Sequence, residues 1–518
     1  MHTTLPPLSA ISIAQLLQHA AQVYAKRIAI ASDEAELTYE DLFQLVWRAT
    51  SILEFAGVTR GSRVLIHGKK SPALIVAILA VNAMGAIFVP INPQLRSMQV
   101  LHILRDAKPA AVVTSHSQWN SLFVEGSAEL KDTKFVDFSE LLQGGSAHVL
   151  AEPTDADPAA ILYTSGSTGL AKGVVLSQRN LMAGALSVAS YLRLGPDDRI
   201  LGVLPLSFDA GLSQWTTALA VGATYVPLNY LHRNDAIKAC ERFGITVITG
   251  VPPLWLQLVG NGWDHAGPRL RVIANTGGHM PARILEELRH TFSAASMYLM
   301  YGLTEAFRST YLDPAEISLR PDSIGKAVPN AEIFVLRSDG SECEPDEEGE
   351  LVHRGAFVAL GYWNDPALTA ERFRPIPGRS SGLVRQELAV WSGDIVKRDR
   401  DGFLYFVGRR DDMIKSQGYR VSPTEVEEAI YAAGVAKEVA VLGVQDAIRG
   451  QTILAIVNPP EGIVASEIEA MCRKVLPGYM QPSRIVVSEQ PLPRNPNGKI
   501  DRSALRVSQG LAVGLPDT

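Results

Sequence analysis

Apolar residues recur along the chain with two different spacings. Thr38 and Asp41 form a predicted capping box, which marks the start of a helix. The apolar face of that helix recurs every three or four residues, at Leu42, Leu45, Val46, Ala49 and Leu53. Short apolar runs at 63–67 and 246–249 predict strands instead. Because helical and extended patterns alternate along most of the chain, we expect an α/β fold with largely parallel sheets.

The stretch 71–95 is uncharged and mostly apolar. It is long enough to raise the alternative of a membrane span, but three prolines, Asn82 and Gly85 interrupt it. We therefore expect a buried helix over 72–84, a stop at Gly85 and a buried strand through Val89. The first eleven residues contain no basic segment, so the sequence predicts no secretory signal.

Two later regions differ from the rest of the chain in their pattern of predicted helices and strands. Strands around Asp339-Gly340 and Glu348-Gly349 predict a small antiparallel or barrel-like β subdomain. Beyond Arg410, the pattern predicts helices over 423–432 and 466–475 and strands over 438–444, 452–457 and 484–487. We therefore divide the chain into an N-terminal domain (1–410) and a small α+β C-terminal domain (411–518). The tail after Arg506 is expected to be poorly ordered.

Composition narrows the classes of function. The chain has 518 residues, 47 % hydrophobic and 20 % charged, as in a globular protein of several compact units. Its net charge of −6 gives no reason to expect nucleic acid or an anionic membrane as partner. The three cysteines, Cys240, Cys343 and Cys472, lie far apart and lack metal-ligand spacing. This sparse usage predicts a reducing compartment, and we expect a cytoplasmic protein.

A loop rich in glycine and hydroxyl groups follows a predicted strand that ends at Thr164. Its first residues are Ser165, Gly166, Ser167, Thr168 and Gly169. Such residues let backbone N–H groups approach an anion closely, and their hydroxyls add donors. Lys172 supplies a mobile positive charge for outer phosphates. The spacing does not fit the Walker P-loop, and a flexible surface turn is the alternative explanation.

Three further motifs carry candidate chemistry. In the segment 298–308, Glu305 is a hard oxygen ligand of the kind Mg²⁺ accepts beside phosphates, and Tyr301 offers a ring face for a purine. Asp394 follows a glycine and can bind both hydroxyls of a ribose. A loop of Pro, Asn and Gly presents Lys499. Taken singly, these motifs also fit a buried strand end, a turn aspartate and a basic loop.

Together, and in this order, the motifs resemble the adenylate-forming superfamily of acyl-CoA synthetases, peptide-synthetase adenylation domains and luciferases. The resemblance runs from about residue 12 to 506, with supporting matches at 37–42, 85–90, 276–278 and 361–366. The chain is most similar to AMP-forming acyl-CoA ligases, and among them to the group found with bacterial exosortase systems. This resemblance implies a large layered α/β N-terminal domain and a mobile C-terminal lid.

The resemblance also implies a role for each matching position. The ATP-binding positions are Thr164, Ser165, Gly166, Ser167, Thr168, Gly169 and Lys172 for the phosphates, Gly277, Gly278 and Tyr301 for adenine, and Asp394 and Arg409 for ribose. The catalytic positions are Thr304 at the α-phosphate, Glu305 as the Mg²⁺ ligand and Lys499 on the lid. The hinge would be Asp411, and Gly418 would mark the tunnel for phosphopantetheine. Ala171 and Gln178 depart from the family pattern, but neither removes a phosphate donor.

The reaction implied by the resemblance uses ATP and Mg²⁺ to convert a carboxylic acid to its acyl-adenylate. The acyl group then passes to a thiol, with CoA or phosphopantetheine as co-substrate. The acyl-pocket positions are Asp209, Ser213, Met300 and Arg308. Asp209 would either hold the ammonium group of an amino acid or pair with Arg308. A pocket with both charges suits a polar or zwitterionic acid better than a long alkyl chain.

Two alternatives to an acyl-CoA ligase remain open. One is an enzyme that loads an amino acid or another acid onto an acyl carrier protein. The other is a nucleotide-binding protein that has lost catalysis. Retention of Lys172, Glu305, Asp394 and Lys499 counts against the second alternative.

Overall fold

The structure, a computed structural model, describes most of the chain. The described residues are 10–95, 97–126, 130–131, 133–143, 145, 151–165, 171–278, 280, 282–378, 386–410, 412–416, 419–446, 450–496 and 498–511. Within them the predicted α/β fold is confirmed.

Fifteen α-helices are described. The described helices are α1 (Ile13–Val23), α2 (Tyr39–Phe55), α3 (Pro72–Ala83), α4 (Ser97–Ala107), α5 (His116–Gly126), α6 (Phe138–Gln143), α7 (Gln178–Tyr191), α8 (Asp209–Val221), α9 (Arg233–Phe243), α10 (Pro252–Leu258), α11 (Ala282–Thr291), α12 (Pro366–Arg372), α13 (Pro423–Ala432), α14 (Ala465–Val475) and α15 (Arg502–Ser508). The predicted capping box of Thr38 and Asp41 is present at α2.

The strands are shorter and more numerous. The described strands are β1 (Ile28–Ala31), β2 (Glu36–Thr38), β3 (Arg63–His67), β4 (Ile87–Ile91), β5 (Ala111–Thr114), β6 (Lys134–Asp137), β7 (Pro158–Ser165), β8 (Ala171–Ser177), β9 (Arg199–Gly202), β10 (Thr224–Pro227), β11 (Val247–Gly250), β12 (Val272–Asn275), β13 (Ser296–Tyr301), β14 (Thr310–Leu312), β15 (Ser323–Ala327), β16 (Ala331–Leu336), β17 (Glu348–Gly355), β18 (Gly361–Tyr362), β19 (Phe373–Arg374), β20 (Ala389–Arg398), β21 (Leu404–Arg409), β22 (Ile414–Ser416), β23 (Tyr419–Val421), β24 (Glu438–Asp446), β25 (Gly450–Asn458) and β26 (Arg484–Val487).

Two large sheets enclose a layer of buried helices. One sheet has the order β18-β8-β7-β4-β3-β5-β6, and the other contains the parallel run β13-β12-β11-β9-β10-β1. Every residue of α3 and of α8 is buried. The main apolar cluster joins these helices to both sheets, through residues such as Phe88 of β4 and Tyr225 of β10. The apolar stretch 71–95 is therefore core, and Gly85 ends its helix with a φ of +66°.

The predicted antiparallel region continues the second large sheet beyond β13. Strands β14, β15, β21, β20, β17 and β16 follow in that order, and each pairs with its neighbour in antiparallel fashion. The long strands β20 and β21 lead the chain from this region towards residue 411. The candidate ribose positions, Asp394 and Arg409, thus lie on the last two strands before the described C-terminal residues.

The C-terminal residues form their own sheet, in the order β23-β22-β25-β24, with β26 beside β25. Helices α13 and α14 contribute Val426, Ile430 and Ile468 to an apolar cluster on this sheet. Helix α15 continues to Ser508, and the rest of the predicted tail beyond residue 511 lies outside the described residues. Its Asp501 side chain accepts a hydrogen bond from the Ala504 N–H, which caps the helix.

In the part of the chain that the structure describes, none of the helices has the length and apolar character needed to cross a membrane.

Candidate active site

A cavity of about 570 Å³ lies between the N-terminal part of the chain and the C-terminal sheet. It is lined by most of the described residues that sequence analysis selected: Thr164, Lys172, Asp209, Gly277, Gly278, Met300, Tyr301, Thr304, Glu305, Asp394, Arg409 and Lys499. These residues come from nine different elements and loops. The fold therefore brings together positions that are up to several hundred residues apart in sequence.

Asp394 is held by two side chains on the cavity wall. Arg409 Nη1 donates a 2.8 Å hydrogen bond to Asp394 Oδ1, and the Tyr301 hydroxyl donates to Oδ2. Strands β20 and β21 place Asp394 and Arg409 directly opposite each other. Burial raises the pKa of Asp394, whereas Arg409 and Tyr301 oppose that shift. The carboxylate is thereby oriented to accept hydrogen bonds from ribose hydroxyls.

Aromatic side chains lie next to this carboxylate. The rings of Tyr301 and Phe406 have centroids 6.3 Å apart, and Ile324 lines the same cavity. Gly277 has a φ of +74°, a conformation that side chains disfavour, and it brings backbone to the cavity. Sequence analysis missed Ile324 and Phe406, since single apolar residues in strands look like core. Together these residues can enclose a planar base.

The glycine- and hydroxyl-rich loop begins and ends at paired residues. Thr164 and Lys172 lie opposite each other across the antiparallel strands β7 and β8, and both line the cavity. Residues 166–169 and the side chain of Ser165 lie outside the described part of the chain. The phosphate-binding roles of Ser165, Gly166, Ser167, Thr168 and Gly169 therefore stay predictions.

Thr304 and Glu305 form a short 3₁₀ turn after β13 and line the cavity. The Tyr362 hydroxyl donates a 2.6 Å hydrogen bond to Glu305 Oε1. Among the described residues, no group of three or more His, Cys, Asp or Glu side chains forms a metal site. A glutamate carboxylate that faces a large cavity fits Mg²⁺, which binds through one or two carboxylates together with substrate phosphates and water.

Lys499 reaches the cavity on a loop of the C-terminal part. Its N–H donates to Asn495 Oδ1 at 3.0 Å, and its carbonyl accepts from the Asn495 N–H at 2.8 Å. Lys499 keeps an exposed surface and lines the cavity. Desolvation within the cavity lowers the pKa of Lys499, and the carboxylates of Asp209, Asp394 and Glu305 only partly oppose the shift. The ammonium therefore lies within electrostatic reach of these three carboxylates.

Asp209 occupies the first turn of α8, where the helix dipole favours a negative charge. The start of this helix comes very close to the preceding loop. A Cβ at Gly211 would lie 1.9 Å from the Pro205 carbonyl oxygen, so the position accepts only glycine. This close approach fixes the helix start, and with it Asp209, at the edge of the cavity.

Arg308 pairs with Asp209. Its Nη1 donates a 2.8 Å hydrogen bond to Asp209 Oδ2, and the side chains are 2 % and 4 % exposed. The preceding Phe307 has a φ of +51°, which is rare for a residue with a side chain and turns the backbone before Arg308. Burial raises the pKa of Asp209, while Arg308 and Lys499 oppose the shift. Of the two alternatives left open by the sequence, the structure shows the paired arrangement.

The two charged residues face different spaces. Asp209 lines the large cavity, whereas Arg308 and Ser213 line a second cavity of about 10 Å³, which is room for about one water molecule. Met300 lines both. The four predicted acyl-pocket residues are thus neighbours, but of these four only Asp209 and Met300 reach the large cavity.

Two predicted positions cannot be placed. The hinge, Asp411, and the tunnel residue, Gly418, lie outside the described residues. Their roles, like the boundary between the two domains, stay predictions.

Residues 17–363 match the family described as AMP-binding enzyme, and residues 425–499 match the AMP-binding enzyme C-terminal domain. The chain belongs to the AMP-binding enzyme family. This is the family that its motifs predicted.

Two curated relatives of this AMP-binding enzyme match over nearly their whole length. The L-proline–[L-prolyl-carrier protein] ligase of Pseudomonas fluorescens is 30 % identical, over 94 % of this chain and 97 % of its own. The indoleacetate–CoA ligase of Aromatoleum aromaticum is 29 % identical, over 93 % and 94 %. Other relatives are much longer: the chain spans 8 % of tyrocidine synthase 3 of Brevibacillus parabrevis and 36 % of the delta-poly-L-ornithine synthetase of Acinetobacter baumannii.

Solved structures are similar in fold over almost the whole chain. The ATP-bound MatB of Rhodopseudomonas palustris is 25 % identical, with a TM-score of 0.86 over 96 % of this chain and 98 % of its own. The apo form of MatB, with the same identity and coverage, gives a TM-score of 0.75. The o-succinylbenzoate coenzyme A synthetase (MenE) of Bacillus subtilis, in complex with ATP and magnesium ion, is 27 % identical, with a TM-score of 0.83 over 95 % and 99 %. In its overall arrangement, this AMP-binding enzyme is more similar to the ATP-bound MatB than to the apo form.

Proposed function

We propose that this AMP-binding enzyme is an ATP-dependent, AMP-forming acid–thiol ligase. It activates a carboxylic acid as the acyl-adenylate, releases pyrophosphate, and transfers the acyl group to the thiol of CoA. The observation that carries this proposal is the position of Lys499 in the same cavity as Asp209, Glu305 and Asp394. The cavity thereby offers one cation for the reacting phosphate, one carboxylate for ribose and one for a metal ion.

ATP would bind with its ribose on Asp394 and Arg409, and with its base beside Tyr301. Its phosphates would extend towards Thr304, Thr164 and Lys172. The acid's carboxylate then attacks the α-phosphorus while the bond to pyrophosphate breaks. Negative charge is redistributed over the phosphoryl oxygens, so positioning and fixed cations supply most of the catalysis.

Lys499 would donate hydrogen bonds to both the α-phosphate and the attacking carboxylate. The ammonium already lines the cavity before the reaction, so little reorganisation is needed to bring its charge to the phosphate. Glu305 would hold Mg²⁺, which supplies positive charge to the phosphates when bound. The C-terminal lid would cover the labile adenylate and then rotate about Asp411, so that the thiol can approach along the Gly418 loop.

The acid is proposed to be short and polar or zwitterionic. Arg308 already neutralises Asp209, and the space beyond them is about 10 Å³, too small for an alkyl chain. An ammonium group would have to share the Asp209 carboxylate with Arg308. Such sharing is compatible with the geometry, because Asp209 faces the large cavity and Arg308 does not.

The second candidate acceptor is a carrier protein. It is supported by the 30 % identity with the L-proline–[L-prolyl-carrier protein] ligase. Loss of catalysis is opposed by the retention of Lys172, Glu305, Asp394 and Lys499 around one cavity. The three cysteines are free and buried, which supports the reducing, cytoplasmic compartment expected from the sequence.

ATP–pyrophosphate exchange over a panel of fatty, aromatic and amino acids tests this function. We expect exchange with at least one short polar acid, Mg²⁺ dependence and AMP as the nucleotide product. The active acid is then offered CoA or a phosphopantetheinylated carrier protein, and thioester formation identifies the acceptor. Formation of ADP would refute the mechanism, and absence of exchange with every acid would favour the inactive alternative.

A further inference from the structure

Asn92 connects the N-terminal sheet to the loop that carries Lys499. It directly follows β4 and is 5 % exposed. Its Nδ2 donates a 2.8 Å hydrogen bond to the carbonyl of Pro496, which lies 404 residues later in the chain. A buried side chain of the first large sheet therefore contacts the backbone of the C-terminal part.

The orientation of this amide is set from within the N-terminal part. Asn92 Oδ1 accepts a 2.9 Å hydrogen bond from the Gln94 N–H, as in an Asx turn. A backbone N–H can only donate, so the oxygen must face Gln94 and the NH₂ group must face the carbonyl of Pro496. The backbone turn at Asn92 thus directs its NH₂ group towards residues 494–499, the loop that carries Lys499 and is called the lid loop below.

Hydrogen bonds within the lid loop hold its backbone rigid, so that the contact at Pro496 also positions Lys499. Besides the two bonds between Asn495 and Lys499, the Gly498 N–H donates to the Asn495 carbonyl at 2.9 Å. Arg494 Nη1 donates to the Gly498 carbonyl at 2.9 Å, and the same side chain forms an ion pair with Glu438. Fixing the carbonyl of Pro496 therefore fixes the backbone from which Lys499 extends.

We infer that Asn92 is a positioning residue for Lys499, whose hydrogen bond to Pro496 holds the lid in the adenylate-forming arrangement. A lid rotation that withdraws Lys499 must break this bond, because its donor and acceptor lie on the two parts that move apart. Asn92 therefore acts in the first half-reaction and is released in the second. The inference rests on the proposed function, since it assigns Asn92 to adenylate formation.

Two substitutions of Asn92 change the contact in different ways. Asn92→Ala removes the donor, and the loss of one hydrogen bond lowers the equilibrium constant for this arrangement by about threefold to tenfold, which sets the upper limit of the loss in kcat. Asn92→Asp keeps the size and the Asx turn but places a carboxylate oxygen against the Pro496 carbonyl. It should therefore have the larger effect, about tenfold or more. Asn458→Ala is the matched control, because Asn458 Nδ2 donates to the Ser488 carbonyl at 2.8 Å inside the C-terminal part.

The first measurement uses the acid that gives the fastest ATP–pyrophosphate exchange with the unmodified enzyme. In both Asn92 variants we expect kcat of exchange to fall by these factors, with the KM for ATP changed by less than about twofold. Thioester formation from chemically prepared acyl-adenylate should stay at the unmodified rate. Asn458→Ala should leave the ratio of the two half-reactions unchanged. Equal losses in both half-reactions, or no loss in either, would overturn the inference.

The second measurement needs no knowledge of the acid. Spin labels are placed at the exposed helical positions Lys238 in α9 and Ala470 in α14, and their separation is measured with ATP and Mg²⁺ present. The unmodified enzyme should show one dominant distance, and Asn92→Asp should depopulate it. Identical distance distributions would overturn the inference. Failure of the proposed function would appear separately, as no exchange with any acid while the label distances still respond to Asn92→Asp.

Discussion

Arg308 Nη1 and Asp209 Oδ2 form a 2.8 Å ion pair in which both side chains are almost completely buried. A buried ion pair contributes little more to folding stability than two apolar side chains of similar size. Removal of either charge, however, leaves the other buried without its partner. At the proposed acid-binding end of the cavity, the Asp209 carboxylate is therefore already paired with a cation. Removing one charge changes both the stability of the core and the charge that the acid meets.

Arg308→Met should therefore destabilise the protein. The variant leaves the buried Asp209 without its cation, and we expect about 3–5 kcal/mol lower free energy of unfolding. Urea denaturation measures the change. The matched control is Arg283→Met, since Arg283 pairs with Glu287 on the surface and should cost less than about 1 kcal/mol. Similar losses in the two variants would show that the Arg308 pair behaves as a surface pair.

Asp209→Asn keeps an oxygen acceptor for Arg308 but removes the negative charge. If the acid carries an ammonium group, exchange with that acid should fall about tenfold to a hundredfold, the range for a charge-assisted hydrogen bond. The KM for ATP should change little, because the residue is not one of the proposed nucleotide contacts. Steady-state exchange kinetics measure both constants. An unmodified enzyme that exchanges only simple fatty acids would exclude the ammonium-binding role.

Lys499→Ala should separate the two half-reactions. The ammonium acts only while charge develops at the α-phosphate, so adenylate formation should fall about 10²–10³-fold. Thiol transfer from supplied adenylate should remain close to the unmodified rate. Single-turnover kinetics measure each step, with Lys474→Ala, an exposed lysine of α14, as the control.

Asp411→Pro should affect the two half-reactions in the opposite way to Lys499→Ala, because proline restricts φ at the predicted hinge. It should retain adenylate formation and slow thiol transfer. Equal loss of both steps in the Lys499 variant would contradict a lid that rotates between them.

Glu305→Gln should raise the Mg²⁺ concentration required for half-maximal exchange by about tenfold or more, because a neutral amide is a poor partner for this ion. Titration of exchange activity with Mg²⁺ at fixed ATP measures the shift. Glu316→Gln is a suitable control, since Glu316 pairs with Arg320 and does not line the cavity. An unchanged Mg²⁺ requirement would remove Glu305 from the metal site.

Stability should decrease in mild acid because two buried histidines are neutral in the folded protein. Burial lowers the pKa of His67 to about 4 and that of His353 to about 3. Unfolded histidine titrates near pH 6.5, so the unfolded state binds more protons below that pH. Stability is then lost as the pH falls from about 6.5 towards 4, by about 2 kcal/mol per histidine at pH 5.

Urea denaturation at pH 7 and pH 5 measures this loss. His353→Asn removes one titrating group and should reduce the difference between the two pH values. The exposed His265→Asn should leave the difference unchanged. An undiminished difference in the His353 variant would assign the acid sensitivity to other groups.

Secondary structure was predictable where its signal is local. The helix predicted over 423–432 is observed as Pro423–Ala432, because Ser422 caps it and proline opens it. The strand predicted over 484–487 is observed as Arg484–Val487. The ends of the central strands were less certain: the run 246–249 is a strand at Val247–Gly250, since pairing with β12 and not composition sets its limits.

The contacts within the site were harder to predict, because their partners are far apart in sequence. The Tyr362 hydroxyl on Glu305 spans 57 residues, and the Asn92 contact with Pro496 spans 404. Motif order identified Glu305, but no periodicity points to its tyrosine partner. For Asp209 and Arg308, residue chemistry allowed two arrangements. Only burial and distance distinguish them.

The contacts at the end of β21 limit which part of the chain can rotate with the C-terminal lid. Arg409 is tied to Asp394, and the next residue, Arg410, is tied by its N–H to the Gly393 carbonyl at 2.7 Å and by its guanidinium to Glu350. Hydrogen bonds and ion pairs thus hold the chain on the N-terminal sheet up to Arg410, the residue before the proposed hinge. Rotation of the C-terminal part about the proposed hinge would move Lys499 but leave Asp394 and Arg409, the proposed ribose contacts, in place. In the proposed mechanism, AMP would therefore stay bound at the same position during both half-reactions.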